Sequence, residues 1–391
     1  ASVRHEFDLY GSVVKDSMSN LVKKRSPHSG KFERWMGKEA IQRAYDMTAR
    51  VGWYGPPINI TDCPGSVWVT KDGDFIGTFG RGEFASALDS LADVFKQAMK
   101  VPQYGFNTGF TSISDALSRA SGGFGRTLNF NKVGATGVVA VTNSLHKLGP
   151  QPIAGVAAAA APGGTAYVSS DTGGFTFDNP AVGSYRLTGA DVAASVVGNA
   201  LLIYDRIFGV AKTMNSTATE AVTGDPTRYQ STTVTAEDYI GGNFGFVEVG
   251  LTALAATAHN WTVCTYDDQA NASSTLPSLT GNSGAIVHRL DHPVMQWFAP
   301  LASGDSGMRA WTQMQCSASV ATGLINFCIG HPLGVCLMPI VNYTLPFDWL
   351  TNRNQAPRIF ANAYISFLEM TKPATTATTY TGGLYMASTS S

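Results

Sequence analysis

Residues 186–208 read RLTGADVAASVVGNALLIYDRIF, and the fold turns on whether this run is helix or strand. Thr188-Gly-Ala-Asp191 has the spacing of a capping box, in which a hydroxyl and a carboxylate each satisfy a free amide of a helix's first turn. Val192, Val196, Val197, Ala200, Leu201, Ile203, Tyr204, Ile207 and Phe208 then cover most of a helical circumference. The sequence therefore predicts a helix from Thr188, buried on nearly all sides. Its most apolar part, Val192 to Ile203, is about half the length of a membrane span and is closed by Asp205 and Arg206.

The surrounding chain is poor in charge. Of 391 residues 44% are hydrophobic and only 14% charged, with 41 glycines and a net charge of −1. A globular monomer carries more charge for solubility, so the composition implies that other subunits cover much of the surface. The near-zero net charge argues against a polyanion binder as a whole. Cys63, Cys264, Cys316, Cys328 and Cys336 are odd in number, lack metal-type spacing and sit in apolar company, which predicts free buried thiols from a reducing compartment. Residues 1–20 lack the charged start and apolar block of a signal peptide, though a processed terminus would read the same.

Residues 1–50 form a basic arm that also carries Phe7, Leu9, Tyr10, Phe32 and Trp35, more aromatic surface than a disordered tail holds, so it is expected to dock. Residues 66–79 read as a β-hairpin about Asp72-Gly73. Glu83 to Lys100 carries an apolar stripe at helical spacing, stopped by Val101-Pro102. Residues 103–131 read as loop with one helical turn at Ser114 to Arg119, and 133–187 as strands projecting a long loop. From Phe244 onward, short apolar runs alternate with turn residues, a β pattern. The polar tail 371–391 retains Tyr380, Leu384, Tyr385 and Met386, as if to lie on a surface.

Several motifs invite chemistry. Gly304-Asp-Ser306-Gly307 matches the nucleophile segment of chymotrypsin-like proteases, and His259 lies upstream with Asp267 and Asp268 nearby. His259 and Ser306 are only 47 residues apart, and no glycine-rich oxyanion loop precedes Ser306, so a dense turn explains the tetrapeptide better. Asp72, Asp74 and Glu83 imitate a calcium loop, but Ile76 stands where an oxygen is needed. His288 and His292 have metal-like spacing without the glutamate of a zinc hydrolase, and Pro293 follows. Ser121–Thr127 is glycine-rich but lacks a phosphate-binding lysine, and reads as a flexible loop. Lys23, Lys24 and Arg25 could touch phosphates. No catalytic, cofactor-binding or metal residue is assigned, and no cofactor is expected.

The order of elements, together with residues 186–208 and the tail segment EMTKPATTATTYTG (369–382), resembles tailed-bacteriophage major capsid proteins of the Hong Kong 97 type. The resemblance implies an α+β fold with an N-terminal arm (1–65), a hairpin and helix of the peripheral region (66–132), an extended β-loop (133–187), a spine helix and following loop (188–243), a β-rich axial and peripheral domain (244–370) and a C-terminal tail (371–391). Glu83–Lys100 competes for the spine, but the family's extended loop precedes its spine helix, which favours Thr188. The implied function is self-assembly in the host cytoplasm, as hexamers and pentamers, into an icosahedral head enclosing double-stranded DNA. Expected partners are further copies, a cement protein, portal and scaffold, and packaged DNA contacted without sequence preference, but no membrane. The rival readings are another virion component, such as a jelly-roll coat, cement or tail protein, and a serine hydrolase using Ser306.

Overall fold

In the computed structural model Thr188 and Asp191 cap no helix. The Thr188 hydroxyl donates to the Tyr385 carbonyl at 3.1 Å, and the Asp191 carboxylate accepts from the Tyr385 hydroxyl at 2.6 Å. Both residues fasten one strand to another. The structure describes residues 110, 113–178, 184–234, 236, 238–348, 356–371 and 374–389, with the backbone of 68–69 and 75–77. The expected arm (1–65), the helix Glu83–Lys100, Asp72, Asp74, Cys63 and the Lys23-Lys24-Arg25 cluster lie outside the described residues. Trp68–Val69 pairs antiparallel with Phe75–Gly77, a hairpin within the unit 1–102.

Among the described residues of the unit 103–391, ten strands have four or more residues and are numbered β1 (Gly125–Val133), β2 (Tyr185–Ala194), β3 (Asn199–Thr213), β4 (Phe244–Val249), β5 (Asn260–Asp268), β6 (Met308–Cys316), β7 (Leu324–Met338), β8 (Leu345–Asp348), β9 (Ile365–Thr371) and β10 (Thr379–Ser388). Helix α1 (Ile113–Arg119) precedes them, where one turn is expected. Sheet I runs β4-β7-β3-β9 and ends on Asn143–Ser144; sheet II is built on β5 and β6; sheet III runs β8-β2-β10-β1.

The expected spine helix is thus two strands, β2 in sheet III and β3 in sheet I. Gly198, with φ +79°, turns the chain from one sheet to the other. The physical reason is burial on both faces. Fourteen of the fifteen β3 residues are buried, and a strand covered on both sides reads as an unbroken apolar run. Its side chains still alternate: Leu201 and Ile203 enter the core shared with sheet III, while Ala200, Leu202 and Tyr204 face the opposite way.

Sheet I closes on itself. The stretch 288–291 exchanges backbone bonds with β4 on one side (His288 N to Val249 O 2.9 Å, Val249 N to Arg289 O 2.8 Å, Asp291 N to Val247 O 2.8 Å). On the other side it bonds 142–144 (Leu290 N to Thr142 O 3.0 Å, Ser144 N to His288 O 2.8 Å), which continue to β9. The result is a small barrel filled by Leu202, Tyr204, Phe244, Phe246, Leu290, Cys328 and Leu368. Outside it, sheet II packs through Trp261, Trp311 and Phe327, and sheet III through Phe130, Phe367, Tyr380 and Leu384.

Three further expectations are corrected. Segment 133–178 does not project as an extended loop: Leu145, His146, Tyr167 and Phe175 are buried, and Lys132, His146 and Arg228 bond the carbonyls of Pro152, Val156 and Tyr167. The tail 371–391 contributes β10, an interior strand between β1 and β2, with Tyr380, Leu384 and Met386 buried. In the glycine-rich 121–127 loop, Gly125, Arg126 and Thr127 begin β1. At the centre of β10, a Cβ on Gly382 would collide with the Asp191 carbonyl. Gly382→Val is expected to cost at least about 2 kcal/mol in denaturant unfolding; a cost below about 0.5 kcal/mol would place this tail outside the sheet.

Candidate functional site

Ser306 is exposed, and its amide donates to Gln269 Oε1 at 2.8 Å. It stands beside the C-terminal end of β5, whereas His259 abuts the N-terminal end. Nine strand residues separate them by on the order of 30 Å. The structure does not bring Ser306 and His259 together. His259 instead bonds Asp291 Oδ2 through Nε2 at 2.9 Å and the Thr257 carbonyl through Nδ1 at 3.0 Å. Both ring nitrogens face acceptors. Burial opposes the charge, but the Asp291 hydrogen bond and carboxylate outweigh it and raise the imidazole above its ordinary range. A general base needs a nitrogen free to meet a substrate proton, and both nitrogens here are engaged inside the protein. Asp267 lies 3.8 Å from Arg309, and Asp268 accepts from the amides of Ala270 and Ala272.

The tetrapeptide is a turn. Asp305 N bonds Ala302 O at 3.1 Å and Gly304 has φ +99°, a conformation that side-chain-bearing residues rarely adopt. A Cβ on Gly307 would collide with the Ile240 carbonyl. The Asp305 carboxylate accepts from the Tyr266 hydroxyl at 2.6 Å, anchoring the loop to β5.

His288 and His292 do not share an ion. His292 is buried, and its Nε2 accepts the Val247 amide at 2.9 Å, so the lone pair a metal would use is occupied. Among the described residues no group of three His, Cys, Asp or Glu side chains is arranged to hold a metal. Cys264, Cys316, Cys328 and Cys336 are free and buried, and desolvation lifts the Cys264 thiol to about 12.

Among the described residues, the main buried concentration of ionisable groups lies in the core, flagged in the sequence only by two charges within an apolar run, Asp205 and Arg206. Arg206 forms a two-point pair with Glu248 (Nη1 to Oε2 3.1 Å, Nη2 to Oε1 2.6 Å), with both side chains fully buried. Asn326 Nδ2 donates to Glu248 at 3.0 Å, and the guanidinium lies 4.7 Å from the Tyr167 ring centroid. Burial alone would raise the Glu248 carboxyl; the Arg206 charge prevails and holds it at about 2. On the other side of β3, Arg228 clasps Asp205 at 2.6 and 2.8 Å, and Asp205 also accepts the Tyr364 amide. These groups are committed to one another inside the protein.

Large apolar side chains are exposed in groups on the described surface. Val197, Leu337, Ile340, Val341 and Tyr343, each about half exposed, sit on segments bonded to each other: Gly198 N to Met338 O, and Asn342 N to Ala194 O. A second exposed group, Val138, Val139, Val294 and Met295, is joined by the Met295 N to Ala140 O bond. A shallow apolar groove between α1 and sheet III is lined by Leu117, Ala120, Ala190, Pro346 and Phe347. Among the described residues, no helix is long and apolar enough to cross a membrane.

Comparison with protein-family models, with curated proteins and with solved structures finds no match to this chain.

Ser306→Ala is expected to change unfolding free energy by less than about 0.5 kcal/mol, as at an ordinary surface site. Gly304→Val is expected to cost about 1–3 kcal/mol through its left-handed backbone. Thermal denaturation of both variants checks the pair, and equal effects would contradict the turn assignment.

Proposed function

We propose that the chain is a structural virion protein that assembles with copies of itself. The observation that carries this reading is the exposed apolar surface around the β2–β3 turn and the end of β7, on a chain with only 14% charged residues. Contiguous apolar surface on a charge-poor protein is the usual mark of a protein–protein contact. The assembly most in keeping with the family resemblance is an icosahedral phage head of hexamers and pentamers around double-stranded DNA. Cement protein, portal and scaffold are its proposed partners, and the virion its place. Many weak contacts, each burying a modest apolar area, would hold such a shell by avidity.

A second reading within the same class has its own support. Residues 188–208 form strands, and the described body is layered antiparallel sheet around a closed barrel. That architecture favours a β-rich virion component, such as a jelly-roll coat, cement or tail protein, over a shell protein built on a spine helix.

Sedimentation and electron microscopy of the expressed protein test the proposal. Capsomers or closed shells support the head-protein reading, and discrete small oligomers or tubes support the second. A monodisperse 41.4 kDa monomer at tens of micromolar would overturn both. Leu337→Glu combined with Val341→Glu is expected to weaken self-association at least about tenfold, a loss of about 1.4 kcal/mol, while leaving the unfolding transition in place.

A further inference from the structure

The barrel closes at one seam, and two neutral histidines lock it. Stretch 288–291 is the stave between β4 and 142–144. His292 follows this stave directly, and its Nε2 accepts the Val247 amide at 2.9 Å while Val247 O takes the Asp291 amide. The first of these bonds exists only while Nε2 carries no proton. His146 follows the neighbouring stave. Its Nε2 donates to the Val156 carbonyl at 2.8 Å, its Nδ1 meets the Tyr364 hydroxyl at 3.1 Å, and its own carbonyl takes the Gly155 amide. The Tyr364 hydroxyl donates to Thr172 O at 2.9 Å, so a protonated Nδ1 would bring a charge into a site with no carboxylate in contact.

We propose that this seam is an acid-opened gate, in which protonation of His146 and His292 releases 140–146 and 286–299 from the barrel and uncovers its apolar interior while sheets II and III stay folded.

The surroundings of each ring support the direction. Around His146, burial, Arg206 and Lys147 oppose the charge; Glu248 favours it but is committed to Arg206; Tyr167 and Tyr364 supply the flanking rings. Around His292, burial opposes the charge, and Asp291 favours it while already serving His259, Trp261 and the Asn282 amide. Burial dominates in both: His292 is held near 4 and His146 near 3, each below the ordinary 6.5. A depressed histidine stabilises the closed form fully above its open-state value and loses that contribution as pH falls toward its closed-state value. The window therefore runs from about pH 6.5 down to about 4.5. Below it, carboxylates such as Glu248 begin to titrate on opening. His331 is also held near 3 by burial, but its ring stacks on Tyr229 and its Nδ1 meets Asn243 Oδ1 away from the two released stretches, so it adds to the slope only of an opening that frees β7 as well. His259, raised by Asp291, stabilises the closed form fully below its ordinary value and loses that contribution as pH rises, so its effect changes mainly above the window.

Amide hydrogen exchange of the full-length protein between pH 7 and 4.5, corrected for intrinsic rates, tests the gate. Two coupled protons make the open population of 140–146 and 286–299 rise by up to about 100-fold per pH unit. Amides of β5 and β6 should not follow. In His292→Gln the amide oxygen still accepts the Val247 amide without titrating, so the slope should fall to about tenfold per unit with the seam still closed at pH 7. A seam whose opening changes less than about threefold across the window overturns the proposal. So does equal acceleration in β5 and β6, which would mean global unfolding. Should the variant fail to fold, the wild-type slope and its confinement to the seam decide by themselves.

Discussion

Arg206 and Glu248 sit opposite each other inside the barrel, fully shielded from water, and each is tolerable there only because of the other. The pair fixes where β3 and β4 stand across the barrel, and Asp205 with Arg228 fixes the outer side of the same strand. Two register shifts flank it. One, at Ile329/Gly330, gives β3 an extra residue, and the other, at Pro332/Gly334, gives one to β7. Between them β3 changes partners, from the core shared with sheet III (Leu201, Ile203) to the core shared with sheet II (Phe208, Val210). A slip of one residue would send Arg206 into an apolar core, so the ion pair sets the register of both sandwiches at once.

The β-rich half of the chain was legible because its strands alternate with Gly, Pro and Asn turns, as in WTVCTY and AWTQMQCS, which became β5 and β6. The segment 188–208 was misread for a definable reason. A strand buried on both faces loses its period-2 signature, and a threonine three residues before an aspartate resembles a helix cap although both side chains here bind Tyr385. Gly198-Asn199 was the contrary signal, since a helix interior disfavours glycine by about 1 kcal/mol and a turn welcomes it. The tail was misread because its Thr and Ser content hides Tyr380, Leu384 and Met386, whose pairing partners lie nearly two hundred residues upstream. Local patterning does not report contacts of that range.

The candidate site was legible mainly in the negative. The spacing of His259 and Ser306 argued against a triad, and the structure places them at opposite ends of β5. The buried pairs were marked only by Asp205 and Arg206 interrupting an apolar run, and nothing nearby in sequence names Glu248 or Arg228 as their partners. Among the described residues, the Arg206–Glu248 and Arg228–Asp205 pairs are committed to the interior, while Val197, Leu337, Ile340 and Val341 lie exposed. That division is what the proposed building block, its surface completed by neighbours, would require.

A double-mutant cycle on Arg206→Met and Glu248→Leu, read by denaturant unfolding, tests the central claim most directly. Each single change strands a buried charge and is expected to cost about 3–5 kcal/mol, while the double variant recovers most of that loss. Single costs below about 1 kcal/mol that simply add would contradict the claim that this pair sets the register of the fold.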